Sequence, residues 1–121
     1  MNDNAIFKVG KLQNLKSKIE IEVLEDGCLD FFIYSNSEPE YSLNFKTTIN
    51  KNEFLSFEIN KEINLLEFID AHDVVVGENG KFNLDCNFDL RINRYTPHSF
   101  LIIISARTKD TYLYIENEFK I

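Results

Sequence analysis

The sequence predicts a mainly β fold, all-β or α+β, built as an antiparallel sandwich or curved sheet of about seven strands with one short helix. Three observations predict it. Apolar and polar residues alternate with a period of two along most of the chain, which is typical of strands with one buried face. Hydrophobic residues make up 44% of the chain and include eleven Phe, enough for a packed core. The period changes to helical spacing near residues 61–71.

The first two predicted strands form a hairpin. Residues 19–24 carry apolar side chains at every second position, and residues 28–35 form the next predicted strand. Asp26 and Gly27, which lie between them, are a strong signal for a tight turn.

Two further strands are predicted after a loop that contains Pro39. Residues 41–49 alternate as the third strand. Residues 55–59 continue the alternation as the fourth strand, after a polar turn at 50–52.

The predicted helix covers about residues 61–71. Apolar positions there have helical spacing, Asn60 is an acceptable N-cap, and the acidic Glu62 lies in the first turn. Residues 71–76 fit either a short strand or an extended connector, and residues 77–80 fit a turn.

The C-terminal third predicts a meander of three long strands. Residues 82–92 alternate strictly, so a register shift of one residue would place their charged side chains in the core. Residues 100–104 are apolar on both faces, which predicts a central strand covered on both sides. Residues 112–121 alternate again. In the first of these strands we expect the core to contain Phe82, Leu84, Phe88 and Leu90, and to exclude Asn83, Asp85, Asn87 and Asp89.

The composition excludes several classes of protein. The 121 residues fit a single domain, 1–121. A net charge of −7 argues against a nucleic acid partner, because binding to a phosphate backbone depends on clustered Lys and Arg. The longest apolar run, at 100–104, is too short to span a bilayer, and the N-terminus lacks the layout of a secretory signal. We therefore expect a cytoplasmic protein with no membrane partner.

The sequence contains no motif for a cofactor, a metal or a catalytic centre. Cys28 and Cys86 have no CxxC pattern and no His at ligand spacing, Cys86 is in phase with the buried positions of its strand, and a disulfide between them stays open. His72 has neither a nucleophile motif nor a second His at ligand spacing, and His98 is predicted to be a turn residue. We expect no cofactor, no metal and no catalytic residue, although carboxylates brought together from different strands would leave no linear motif.

The negative charge is concentrated in one segment. Between Glu53 and Glu78 there are seven acidic residues and one basic residue, Lys61, which gives −6 of the chain's −7. A concentrated anionic surface is suited to attracting a basic partner surface. The acidic candidates for partner binding are Glu58, Glu62, Glu67, Asp70 and Asp73.

An aromatic pair provides a second candidate surface. Tyr112 and Tyr114 lie on the predicted outer face of the last strand, next to Glu116 and Glu118. Tyrosine combines a large contact area with a polar tip and is enriched at interfaces. This face could dock a partner, stack a sugar, or pack beneath another element of the fold.

These observations favour a non-catalytic intracellular domain that binds the basic surface of another protein. Inhibitors and immunity proteins that cover the cationic active site of a nuclease toxin are an analogy in size and charge. A small-ligand or carbohydrate-binding β module is the first alternative, and an enzyme with a cross-strand carboxylate site is the second. An edge strand could also pair with a second copy of the chain.

Overall fold

A computed structural model of the protein describes residues 6–9, 12–15, 17–35, 42–69, 75–77, 87–107 and 112–121, with side chains described in 17–35, 42–69, 89–105 and 114–121. The elements in these ranges are β1 (Ile6–Val9), β2 (Leu12–Leu15), β3 (Ser17–Val23), β4 (Cys28–Ser35), β5 (Ser42–Asn50), α1 (Lys51–Phe54), β6 (Glu62–Asn64), a 3-10 turn (Leu65–Phe68), β7 (Val75–Gly77), β8 (Asn87–Thr96), β9 (Ser99–Arg107) and β10 (Tyr112–Lys120).

The strands form two antiparallel sheets, which confirms the predicted mainly β fold. The larger sheet has the order β2-β1-β10-β9-β8-β6, and the smaller sheet has the order β3-β4-β5-β7. The described residues contain more strands than predicted because β1, β2 and β6 were not expected from the sequence.

Aromatic side chains pack the two sheets against each other in a sandwich-like arrangement. Phe31 on β4 meets Phe119 on β10 edge to face, with ring centroids 5.1 Å apart. Phe54 on α1 meets Phe100 on β9 at 6.1 Å. Each of these rings is at least 95% buried, and full burial of such a side chain contributes about 1.5–3 kcal/mol. The core therefore lies between the sheets, as expected for a β-sandwich.

The turn between β3 and β4 is confirmed at Asp26 and Gly27. The amide of Gly27 donates to the carbonyl of Leu24 at 2.9 Å, and Gly27 has φ of +83°, a conformation that favours glycine. Asp26 Oδ1 accepts a hydrogen bond from the amide of Cys28 at 3.0 Å. A carboxylate that accepts from the backbone two residues ahead is a common way to close such a turn.

The predicted strand at 55–59 was wrong. β5 instead runs on to Asn50, whose side chain caps α1 while Glu53 bonds back to the Asn50 amide, forming a capping box. The helical turn buries Phe54 completely, and the chain then continues through turns. Residues 55–59 alternate in sequence, but the capped turn before them redirects the backbone out of the sheet.

The helix predicted at 61–71 is reduced to a single 3-10 turn, Leu65–Phe68. Asn60 is not its N-cap, because Asn60 has φ of +64° and donates its amide to the carbonyl of Arg94 at 2.7 Å. The chain after Asn60 pairs with β8 as β6, with Ile63 opposite Ile92. Apolar residues with helical spacing therefore contribute to a short edge strand, and residues 70–71 lie outside the described ranges.

The three C-terminal strands form the predicted meander. On β8, Leu90 and Ile92 are buried, while positions 82–86 and the side chains predicted at positions 87 and 88 lie outside the described residues. On β9, Ile102 is fully buried, whereas Leu101 and Ile103 on the opposite face are only half-buried. The expected complete cover of β9 is therefore correct for its inner face alone.

Candidate functional site

The edge strand β6 places Glu62, one residue of the acidic segment, on the outer face of the larger sheet. Glu62 on β6 pairs with Asn93 on β8, Asn93 pairs with Leu101 on β9, and Leu101 pairs with Glu118 on β10. Residues directly opposite each other in antiparallel strands project from the same face. Glu62 and Glu118 therefore lie on one face, at the two ends of a row across four strands.

A second row runs beside the first across the same four strands. It consists of Asn64, Arg91, Ile103 and Glu116. A shorter third row consists of Asp89, Ser105 and Tyr114. We call this surface the acidic face, and define it by the residues Glu62, Asn64, Asp89, Arg91, Asn93, Leu101, Ile103, Ser105, Tyr114, Glu116 and Glu118.

Arg91 lies among the carboxylates of the acidic face. Its guanidinium bonds to Asp89 at 3.2 Å and to Glu62 at 3.1 Å. The hydrogen bond and charge of Asp89, with a smaller contribution from Glu62, raise the pKa of Arg91. Lys120, exposed at the end of β10, is the other described cation that lies on this side of the sheet. Four carboxylates thus face two cations among the described side chains.

Apolar and aromatic groups occupy the centre of the acidic face. Leu101 and Ile103 are half-buried neighbours on one strand. Tyr114 is half-buried too, and its hydroxyl donates to Glu116 Oε2 at 3.0 Å. The surface is therefore an apolar strip with Glu116 and Glu118 on one side and Asn93 and Arg91 on the other.

The structure places the sequence-predicted site residues in different elements. Glu58 and Glu67 are both exposed, the first in the turns before β6 and the second in the 3-10 turn after it. Glu62 and Tyr114, predicted as members of two separate surfaces, lie on one face. The remaining candidates are outside the described residues: Asp70, Asp73 and the side chain of Tyr112.

A cleft of about 350 Å³ opens at the side of the sandwich between β3 and the end of β10. Its lining includes Ile19, Ile21 and Phe119, together with Tyr95, Glu118 and Lys120. Burial, together with a hydrogen bond to Glu118, raises the pKa of the Tyr95 phenol. The cleft joins residues about 100 positions apart in the chain, so no local pattern could have indicated it.

The outer face of the smaller sheet presents another aromatic pair. Phe32 and Tyr34 on β4 have ring centroids 5.1 Å apart, and Phe32 is 36% exposed. The Tyr34 hydroxyl donates to Glu20 Oε1 at 3.4 Å. This pair was not among the surfaces predicted from the sequence, although its alternation with the buried Leu29, Phe31 and Ile33 indicates the outer face.

Two other residues considered from the sequence, Cys28 and His98, lie in the described part of the chain. Cys28 is a free thiol, and burial raises its pKa, with the charge of Asp26 adding to the effect. His98 lies in the β8–β9 turn, as predicted, and its Nδ1 donates to the carbonyl of Ile121 at 2.9 Å.

In the described part of the chain, no three His, Cys, Asp or Glu side chains are grouped as a metal site would need. No helix there is long and apolar enough to cross a membrane.

Comparison of the chain with protein-family models, with curated proteins and with solved structures gave no match.

Proposed function

We propose that this protein is a non-catalytic binding domain whose acidic face engages the basic surface of another protein. The observation that supports the proposal is the cross-strand row from Glu62 to Glu118, which puts Glu62 of the acidic segment on the same face as the carboxylates of β10. The exposed Glu58 and Glu67 add two further carboxylates in the chain segments just before and just after β6. Carboxylates gathered on one side of a molecule speed up encounter with a cationic partner.

The layout of the acidic face suits a protein partner. Protein interfaces combine an apolar centre, which loses water on binding, with a polar rim that remains partly solvated. Leu101 and Ile103 provide apolar area at the centre, Glu116 and Glu118 stand beside them on β10, and Glu62 lies two strands away on β6. A partner with Lys or Arg around an apolar patch would be complementary to both features.

The test compares two triple variants that lose the same charge at different places. One replaces Glu62, Glu116 and Glu118 with Gln on the acidic face. The control replaces Glu22, Glu25 and Glu53 with Gln; all three are exposed and lie outside the acidic face. Gln also preserves the capping box at Glu53. Partners captured from a lysate of the source cell at low salt are identified, and their association rates with both variants are measured.

We expect the acidic-face variant to associate at least several-fold more slowly than the control variant at low salt. The difference should largely disappear in about 1 M salt, where the screening length falls to about 3 Å. Thermal melting and size-exclusion profiles establish that both variants are folded and share one oligomeric state. Equal association rates for the two variants at low salt would rule out the acidic face as the binding surface.

A small-ligand module is the second candidate, and the cleft between β3 and β10 favours it. Its volume of about 350 Å³ lies within the range of small-molecule sites, and its lining combines apolar side chains with the hydrogen-bonded Tyr95 and Glu118. Titration with the fluorescent apolar probe ANS would test the cleft. Ile21→Glu should abolish saturable probe binding, whereas Phe32→Glu, on the far side of the smaller sheet, should leave it unchanged.

A further inference from the structure

Strand β3 forms one edge of the smaller sheet. Among the described residues its only strand neighbour is β4, and the two pair without interruption from Ser17 opposite Ser35 to Val23 opposite Leu29. We propose that this edge pairs with β3 of a second copy of the chain, antiparallel and centred on Ile19.

Strand β3 carries exposed charges but lacks most of the other features that normally protect an edge. It contains no Pro and no Gly, and no bulge interrupts its pairing with β4. Natural edge strands are usually shortened, bulged, or carry Pro, exposed charges or charged side chains that point inward. Here the exposed charges Lys18, Glu20 and Glu22 alternate with half-buried Ile19 and Ile21, and Val23 is 52% exposed. The edge is therefore seven residues long, regular and partly apolar.

The hairpin fixes which backbone groups point away from β4. The amide of Leu24 donates to the carbonyl of Cys28 at 2.9 Å, so Leu24 belongs to a hydrogen-bonded pair with β4. Backbone groups alternate in direction along an antiparallel strand. The amides and carbonyls directed at the open edge are consequently those of Ser17, Ile19, Ile21 and Val23.

Charge then selects one register for the pairing of two such edges. With the two-fold axis at Ile19, Lys18 of each copy lies opposite Glu20 of the other. An axis at Glu20 would place two Glu20 side chains opposite each other, an axis at Ile21 would oppose Glu20 to Glu22, and an axis at Lys18 would oppose two Lys18 side chains. Like charges directly opposite each other destabilise a strand pair, and opposite charges stabilise it.

The register centred on Ile19 also satisfies the backbone hydrogen-bonding groups at the open edge. Ile19 pairs with Ile19 of the second copy, and Ser17 pairs with Ile21, so every hydrogen-bonded pair uses groups that already point outward. The Lys18 and Glu20 pairs fall at the alternate positions, where the Cα atoms approach to about 4.5 Å and the side chains are closest. The two smaller sheets would join into one continuous sheet across the dimer.

Cysteine cross-linking tests the register directly. In a variant with Cys28 and Cys86 replaced by Ser, Ile19→Cys should form a disulfide-linked dimer under mild oxidation, because the Cα atoms at the axis would be about 5.5 Å apart. Ile21→Cys is the matched control, since two copies of residue 21 would be more than about 13 Å apart in this register. The proposal is overturned if Ile19→Cys gives no dimer, or if both variants cross-link equally.

Charge exchange provides a test that leaves the backbone unchanged. Lys18→Glu and Glu20→Lys should each weaken dimerisation several-fold in analytical ultracentrifugation, because each places like charges opposite each other twice. The double variant carrying both substitutions restores the opposite charges and should dimerise as strongly as the original chain. A double variant as weak as the single ones, with unchanged melting temperature, would overturn the register.

Discussion

Asn117 on β10 donates a hydrogen bond of 2.9 Å from Nδ2 to Oγ of Ser17 on β3, and this bond links the two sheets inside the protein. Both residues are buried, Asn117 to 99% and Ser17 to 93%. Polar groups in such an environment are normally paired, because burying one without a partner is costly. The bond therefore fixes where the first strand of the smaller sheet lies against the last strand of the larger one.

Replacing Ser17 with Ala should destabilise the protein by about 1–3 kcal/mol, since the buried Asn117 amide loses an acceptor. Urea denaturation of the variant measures the loss. Ser56→Ala is a suitable control, because Ser56 is exposed and its hydroxyl donates only within the local turn. A Ser17 variant no less stable than the Ser56 variant would show that the bond between the sheets contributes nothing to stability.

Adjacent residues on β9 should respond differently to a charge. Ile102 is fully buried in the core, and Ile102→Asp should unfold the protein, because a buried unpaired charge costs several kcal/mol. Ile103 lies half-buried on the acidic face opposite Arg91, so Ile103→Asp should leave a folded protein of reduced stability. Circular dichroism melting curves distinguish the two outcomes, and a folded Ile102→Asp variant would contradict the description of the core.

The Asp26 carboxylate should make stability depend on pH in the acidic range. The hydrogen bond from the Cys28 amide, assisted by Lys46 at 3.3 Å, lowers the pKa of Asp26 below its ordinary value of 3.8. A lowered pKa in the folded state contributes stability above the unfolded pKa, and that stability is lost as pH falls through the folded pKa. Asp26→Asn keeps an acceptor for the Cys28 amide but removes the charge.

The free energy of unfolding, measured by denaturation from neutral pH to about pH 3, should therefore decrease less steeply for Asp26→Asn than for the original chain. The effect should be small because the carboxylate is exposed to solvent. Identical pH profiles for the two proteins would show that Asp26 gains nothing from its folded-state contacts.

Asn60 should tolerate glycine better than a branched residue. Its φ of +64° lies in the left-handed region, which Gly adopts without strain and which a β-branched residue adopts rarely. Asn60→Gly should leave stability nearly unchanged, whereas Asn60→Val should lower it by about 1–2 kcal/mol. Val at the neighbouring exposed Lys61 serves as the control, and equal stability of both Val variants would contradict the backbone assignment.

Local sequence was sufficient for the strands whose alternation extends over many residues. The hairpin at Asp26 and Gly27 and the meander of β8 to β10 were both predicted. A strand in which apolar and polar residues alternate has only one register that buries its apolar face. The segment between β5 and the 3-10 turn was not predicted correctly, because short apolar runs fit strand and helix equally well. The pattern Asn50-x-x-Glu53 is a capping-box signature and could have revealed the helical turn that the alternation obscured.

The acidic face could be predicted only in part. Its charge was visible in the sequence, but the alignment of Glu62 with Glu118 depends on the spatial order of β6, β8, β9 and β10. That order follows from pairing between segments far apart in the chain, which no local pattern specifies. For the same reason Glu62 and Tyr114 were assigned to separate surfaces.

Arg91 has a consequence for any cation that reaches the acidic face. Its bridges to Glu62 and Asp89 are about half-exposed on both sides, and ion pairs of this kind contribute little to stability. A guanidinium from a partner that bound Glu62 or Asp89 would displace the Arg91 guanidinium from that carboxylate. The number of ion pairs around Arg91 would therefore stay nearly the same. The two carboxylates around Arg91 would then select partners by the fit of the incoming side chain, while Glu116 and Glu118 on β10 would set how strongly the partner is attracted.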